Sequence, residues 1–78
     1  MSHTPHELSE EFPEMQGNIH KLKLANAHFS KLVDEYHVIN RDIHRAETDI
    51  EPTDDFNMEA MRKSRVRLKD EIYTMLTA

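Results

Sequence analysis

Apolar residues recur every seven positions along the first two-thirds of the chain. The main line contains only apolar or aromatic residues: Leu8, Met15, Leu22, Phe29, Tyr36, Ile43 and Ile50. A second line accompanies it and changes its offset between its second and third members: Phe12, Ile19, Ala25, Leu32, Ile39 and Ala46. Spacings of three and four place both lines on one helix face and predict a coiled-coil seam. The sequence lacks the alternation of apolar and polar residues that indicates a strand. We therefore expect an all-α fold.

Two features near the amino terminus predict a short helix followed by a kink. The segment "TPHE" at 4–7 is typical of a capping box, which predicts a helix over about 5–11. Pro13 lacks an amide N–H and clashes with the carbonyl four residues before it. We therefore expect a kink at Pro13 and a long helix over about 13–50.

A second interruption predicts a hairpin. Pro52 disfavours helical geometry in the preceding residue, and the Thr-Asp-Asp that follows offers an N-cap and an acidic first turn. These signals predict a turn at 51–53 and a second, shorter helix over about 54–77. A turn this short makes the two long helices antiparallel, so residues 1–78 are expected to form one domain. The predicted hairpin core contains Phe29, Leu32, Tyr36, Ile39, Ile43, Ile50, Met58, Met61, Leu68, Ile72 and Met75.

The predicted helices differ in length, and this difference leads to a prediction of self-association. At 1.5 Å per residue, the first long helix would run about 55 Å and the second about 35 Å. The hairpin would leave an apolar overhang without an intramolecular partner: Leu8, Phe12, Met15, Ile19 and Leu22. Either the short helix folds back at Pro13, or another chain covers the overhang. We favour a homo-dimer or higher homo-oligomer, with another protein as a further partner, because five such side chains are costly to leave in water.

Composition narrows the class of protein. The chain has 78 residues, no cysteine and one glycine, and 32% of its residues are charged. Without cysteine there are no disulfides or thiolate metal sites. We find no signal peptide and no apolar run of membrane-span length, so we expect a cytoplasmic protein without a membrane partner. The formal net charge of −5 provides no general attraction to nucleic acid.

Four segments together resemble a known family. "HELSEEFPEM", "IHKLKLANAHF", "EYHVINRDIHRAE" and "RLKDEIY" look like the YdcH-like family of small bacterial proteins, and the resemblance covers nearly the whole chain. It implies a short, cytosolic, bacterial, α-helical protein with a long helix followed by a second one. It implies no biochemical activity, since none is established for the family.

Little in the sequence points to catalysis or to a metal. There is no glycine-rich loop, nucleophile elbow or HExxH motif, and a two-helix ribbon has no concave pocket for a small-molecule substrate. His37, His44 and Glu47 lie along one predicted helix, which offers fewer ligands than a structural zinc site needs. We therefore expect no enzyme activity, no cofactor and no metal site.

One basic segment supports an alternative function. Residues 62–69 contain Arg62, Lys63, Arg65, Arg67 and Lys69. These side chains could contact phosphates in a nucleic-acid-associated regulator. Over two helical turns they point in several directions, however, and ion pairing between the helices together with a solvated face is the interpretation we favour. Arg65 is expected to pair with Asp42 or Glu35. A self-associating coiled-coil interaction module is the function we favour.

Overall fold

The computed structural model describes residues 5–48 and 54–78, and within these ranges it contains helices and no strand. The elements are α1 (Leu8–Glu11), a 3-10 turn (Pro13–Met15), α2 (Gln16–Ala25), α3 (Ala27–Glu47) and α4 (Asp55–Leu76). Helices α3 and α4 form a helical hairpin. The prediction of an all-α fold built on such a hairpin is confirmed.

Helix α4 begins where the sequence places a cap. The Asp54 side chain accepts a hydrogen bond from the amide of Asn57 at 2.6 Å, and Asp55 lies in the first turn. Both acidic groups favour the positive end of the helix. The predicted turn at 51–53 and the predicted core residue Ile50 lie outside the described residues.

The predicted continuous helix over 13–50 is divided at Asn26. This residue has an extended backbone (φ −138°, ψ 110°), and its side-chain oxygen accepts a hydrogen bond from the amide of Phe29 at 3.1 Å. Asparagine favours the cap position because its side chain replaces the missing backbone acceptor. The prediction of one continuous helix is therefore wrong here. As a result the hairpin helices are nearly equal in length, with 21 residues in α3 and 22 in α4, and the second is not the shorter.

The first helix is also shorter than the predicted 5–11. It begins at Leu8, and its N-cap residue, Glu7, makes no side-chain capping bond. His6 has a positive φ of 62°, which is outside the right-handed helical region, so the helix does not begin before this residue. Thr4, the predicted cap, lies outside the described residues. Glu7 does not reach back along its own helix but contacts α3, as described below.

The amino-terminal arm, which we define as residues 5–25, folds back onto the hairpin. Leu8 is 3% exposed and belongs to one buried cluster with residues of α3 and α4: Phe29, Leu32, Val33, Tyr36, Leu68 and Ile72. The longest dimension of the molecule is 37 Å. A continuous helix over 16–47 would alone measure about 48 Å. The expectation of an uncovered overhang is therefore wrong, because the chain reverses direction at Asn26.

Most of the predicted hairpin core lies inside the molecule. Six of its members are buried: Phe29, Leu32, Tyr36, Ile43, Leu68 and Ile72. Four more are half-buried: Ile39, Met58, Met61 and Met75. Val33 and the polar Asn40 are buried as well, although the sequence analysis did not place them in the core.

Candidate interaction site

A buried amide joins the arm to both helices of the hairpin. Asn40 is 1% exposed on α3. Its Nδ2 donates to the carbonyl of Pro5 at 2.9 Å, and its Oδ1 accepts from Nη1 of Arg65 on α4 at 3.0 Å. A buried amide without partners would destabilise the fold, so these bonds fix the positions of three segments at once. The predicted partners of Arg65, Asp42 and Glu35, are replaced by this amide.

Tyr36 makes a second polar contact with the arm, one helical turn before Asn40. Its ring is fully buried, and its hydroxyl donates to the carbonyl of His6 at 2.5 Å. Burial, with a further contribution from the nearby negative charge of Glu11, raises the pKa of Tyr36 to about 12. The phenol therefore remains a neutral donor, and its bond holds the arm at the residue with positive φ.

Two glutamates of the arm form ion pairs with the hairpin. Glu7 Oε2 lies 3.0 Å from Nδ1 of His37, and its Oε1 lies 3.9 Å from Nε of Arg41. Glu11 Oε1 lies 3.5 Å from Nζ of Lys69 on α4. Partial burial alone would raise the pKa of Glu11. A hydrogen bond with the neighbouring His6 and the charge of Lys69 outweigh that effect and lower the pKa.

Four of the five residues predicted to form the self-association surface contribute to this intramolecular docking. Leu8 is buried, and three others pack, partly buried, against the core: Phe12, Ile19 and Leu22. The ring of Phe12 stacks on that of Tyr73, with centroids 5.7 Å apart. Met15 is half-buried. In this structure, Leu8, Phe12, Ile19 and Leu22 pack against the hairpin of the same chain. Self-association of the protein stays a prediction.

The basic segment of α4 is largely engaged within the chain. Four of its side chains have partners: Arg62 with Glu47 at 3.3 Å, Lys63 with Glu59 at 3.2 Å, Arg65 with Asn40 at 3.0 Å, and Lys69 with Glu11 at 3.5 Å. Arg67 is exposed and lines a groove on another face of the hairpin. The segment therefore does not present one continuous cationic stripe.

That groove lies between α3 and α4 and is lined by no residue of the arm. Its volume is about 520 Å³, and its lining includes Val38, Ile39, Met61 and Leu68. Val38 is 63% exposed. Charged residues of both helices line the same groove: Lys31, Asp34, Glu35 and Asp42 on α3, and Arg67 on α4. We call this surface the open face.

The described residues also bear on metal binding and on membrane insertion. Within residues 5–48 and 54–78, no three histidine or acidic side chains come together as metal ligands. His37, one of the histidines considered above, is paired with Glu7. No helix in the described ranges has both the length and the hydropathy needed to cross a bilayer.

Two asparagines that organise the structure were not predicted from the sequence, although each leaves a signal in it. Asn26 coincides with the change of offset between the two apolar lines, and asparagine is a preferred cap residue. Asn40 lies four residues after Tyr36 and three before Ile43, which places a polar group on the buried seam. A polar residue in such a position requires a bonding partner.

These features define a small all-α protein in which an amino-terminal arm covers one face of a helical hairpin. A family model matches residues 29–76, more than half of the chain, and its description is "Protein of unknown function (DUF465)". The chain belongs to this family, which includes the YdcH-like small bacterial proteins, so the resemblance noted in the sequence is confirmed. Searches of curated proteins and of solved structures found no match.

Proposed function

We propose that the protein is a non-catalytic interaction module that associates with itself through the open face of the α3–α4 hairpin. The observation that carries this proposal is the exposure of Val38 beside half-buried Ile39 and Met61 in a groove that the arm does not cover. Apolar side chains grouped in this way favour contact with another protein surface. A second copy of the chain is the partner we propose, in a cytoplasmic setting.

The charges around the groove favour a two-fold arrangement of copies. Arg67 lines its α4 side, and the α3 side carries three carboxylates and one ammonium, those of Asp34, Glu35, Asp42 and Lys31. A two-fold axis parallel to the groove places α3 of one copy over α4 of the other. Opposite charges then meet twice, once on each side of the axis, as an isologous interface requires. The alternative axis, across the groove, would place α3 over α3 and bring together two surfaces that each carry a net negative charge.

The nucleic-acid alternative has less support. Phosphate binding needs basic side chains that are free to replace counterions. Arg62, Lys63, Arg65 and Lys69 already contact groups within the chain. The formal net charge of −5 adds repulsion.

Analytical ultracentrifugation of the parent protein tests the proposal. We expect a dimer at micromolar concentration, and Val38→Glu should weaken association at least tenfold because it places a charge in an apolar contact. Leu24→Glu is the matched control, since Leu24 is 78% exposed on α2 and does not line the groove. A parent protein that sediments as a monomer at high micromolar concentration would refute self-association. Equal weakening by both substitutions would exclude the open face as the contact.

A further inference from the structure

The break between α2 and α3 is confined to one residue. The amide of Asn26 still donates to the carbonyl of Leu22 at 2.9 Å, as the continuation of α2. Its carbonyl accepts from the amide of Ser30 at 3.0 Å, as the first bond of α3. The amide of Asn26 thus donates the last hydrogen bond of α2, and the same residue is the N-cap of α3. A change in its two backbone angles would convert two helices into one.

Nothing in the sequence from 14 to 51 prevents that conversion. Prolines occur at 5, 13 and 52, so none interrupts the segment, and the main apolar line continues without a gap from Leu22 to Phe29. A helical Asn26 would lose its side-chain cap on the Phe29 amide and would gain backbone hydrogen bonds across the junction. The bent and the straight forms are therefore two competing arrangements of the same helical segment.

We propose that Asn26 is a hinge through which two copies of the chain exchange their amino-terminal arms. In the exchanged form, α2 and α3 make one helix of about 48 Å, which carries the arm away from its own hairpin. The arm then docks on the hairpin of a second copy, and the second copy returns the contact. Domain exchange of this kind needs no new interface, because the contacts between the arm and the hairpin form again between copies.

The contacts of the arm identify its partner as another copy of this chain. The hairpin offers the Asn40 amide, the Tyr36 hydroxyl and the Lys69 ammonium at fixed positions, and the arm supplies a carbonyl, a carbonyl and a carboxylate to match them. Leu8 fills the buried site between these polar contacts. This inference is independent of the open face, since the arm docks on a different surface of the hairpin.

A cross-linking experiment distinguishes the two forms. Glu11→Cys and Lys69→Cys introduce the only cysteines, at side chains whose charged atoms lie 3.5 Å apart. A short bis-maleimide then joins them within a chain in the closed form and between chains in the exchanged form. Val38→Glu is included in every protein, so that association through the open face does not contribute.

Asn26→Ala in this background should shift the cross-links from within chains to between chains. Removing an N-cap changes the balance by about fivefold per chain, and two hinges open per dimer, so the exchanged fraction should rise about twenty-five-fold. Asn18→Ala, at an exposed position of α2, is the matched control and should leave the pattern unchanged. Asn26→Asp, which preserves a capping oxygen, should also behave like the parent.

The result that would overturn the inference is an Asn26→Ala protein whose cross-links remain within single chains at high micromolar concentration. Loss of all cross-links would also overturn the inference, because it would show that the arm leaves its own hairpin without docking on another. Failure of the open-face proposal alone would appear differently. In that case the parent protein, which has the native Val38, would sediment as a monomer in the ultracentrifuge. The Asn26→Ala protein would still form cross-links between chains.

Discussion

Asn40→Asp separates the docking of the arm from the stability of the hairpin. The substitution replaces the Nδ2 donor by an oxygen and leaves the other side-chain oxygen in place. The carbonyl of Pro5 therefore loses the donor that lies 2.9 Å away and instead meets a second acceptor. Arg65, by contrast, keeps an acceptor at this position, now a negatively charged one. The contact with Pro5 should be lost, and the contact with Arg65 should remain.

The size of the effect follows from the burial of the site. Asn40 is 1% exposed, so water does not readily replace the lost donor. Leaving a buried carbonyl without a donor costs about 1–3 kcal/mol. Taking about 2 kcal/mol for this contact, the open form of the arm should become about thirtyfold more populated. The contact between α3 and α4 through Arg65 should be much less affected.

Amide hydrogen exchange measured by NMR resolves the two parts of the molecule. The amides of Glu11 and Phe12 donate to carbonyls within α1 at 3.0 and 2.8 Å and report on the arm. Their protection should fall about thirtyfold in Asn40→Asp, with a smaller change for the amides in the middle of α3 and α4. Asn18→Asp introduces the same charge on an exposed surface and should have little effect. Unchanged protection of α1 in Asn40→Asp would show that this bond does not hold the arm.

Other contacts of the arm lead to further predictions. Phe12→Ala should lower the free energy of unfolding in urea by about 1–2 kcal/mol, because the half-buried ring leaves both the core and the stack with Tyr73. Tyr36→Phe should cost about 1–2 kcal/mol by the same measurement. It should also remove the part of the stability loss between pH 10 and about 12 that comes from Tyr36, because a raised folded-state pKa gives stability that is full below pH 10 and declines as pH rises to about 12. Glu11 has a lowered pKa, so its stabilisation is present above its ordinary value of 4.5 and is lost as pH falls below it. Glu11→Gln should make stability less dependent on pH there, whereas a parent protein equally stable on both sides of pH 4.5 would contradict the stabilisation of the Glu11 carboxylate by His6 and Lys69.

The helical content and most of the core could be predicted from sequence periodicity, because both depend on the local spacing of apolar residues. Helical repeats of three, four and seven placed Phe29, Tyr36 and Ile43 on one buried face, and the structure buries all three. The cap at Asp54 was recognisable for the same reason, since an N-cap is a contact between near neighbours in sequence.

The path of the chain was harder to predict because it depends on a small local balance. At Asn26, one side-chain bond competes with the backbone bonds of a continuous helix, and the free energies involved are about 1 kcal/mol. Periodicity alone favoured the continuous helix and thus an overhang. The long-range polar contacts were also inaccessible, since Asn40 and Pro5 are far apart in sequence and meet only after the reversal at Asn26.

The arm is suited to exchange because its contacts with the hairpin are long-range contacts. A chain of 78 residues without cysteine has a small core and needs the arm to complete it. Leu8 and Phe12 supply apolar surface, while Asn40, Tyr36 and Lys69 fix the position of the arm by polar bonds. None of these contacts requires the arm to belong to the same chain. In the proposed exchange Asn26 is the hinge, so protein concentration and the strength of one cap together would determine whether the contacts form within one molecule or between two.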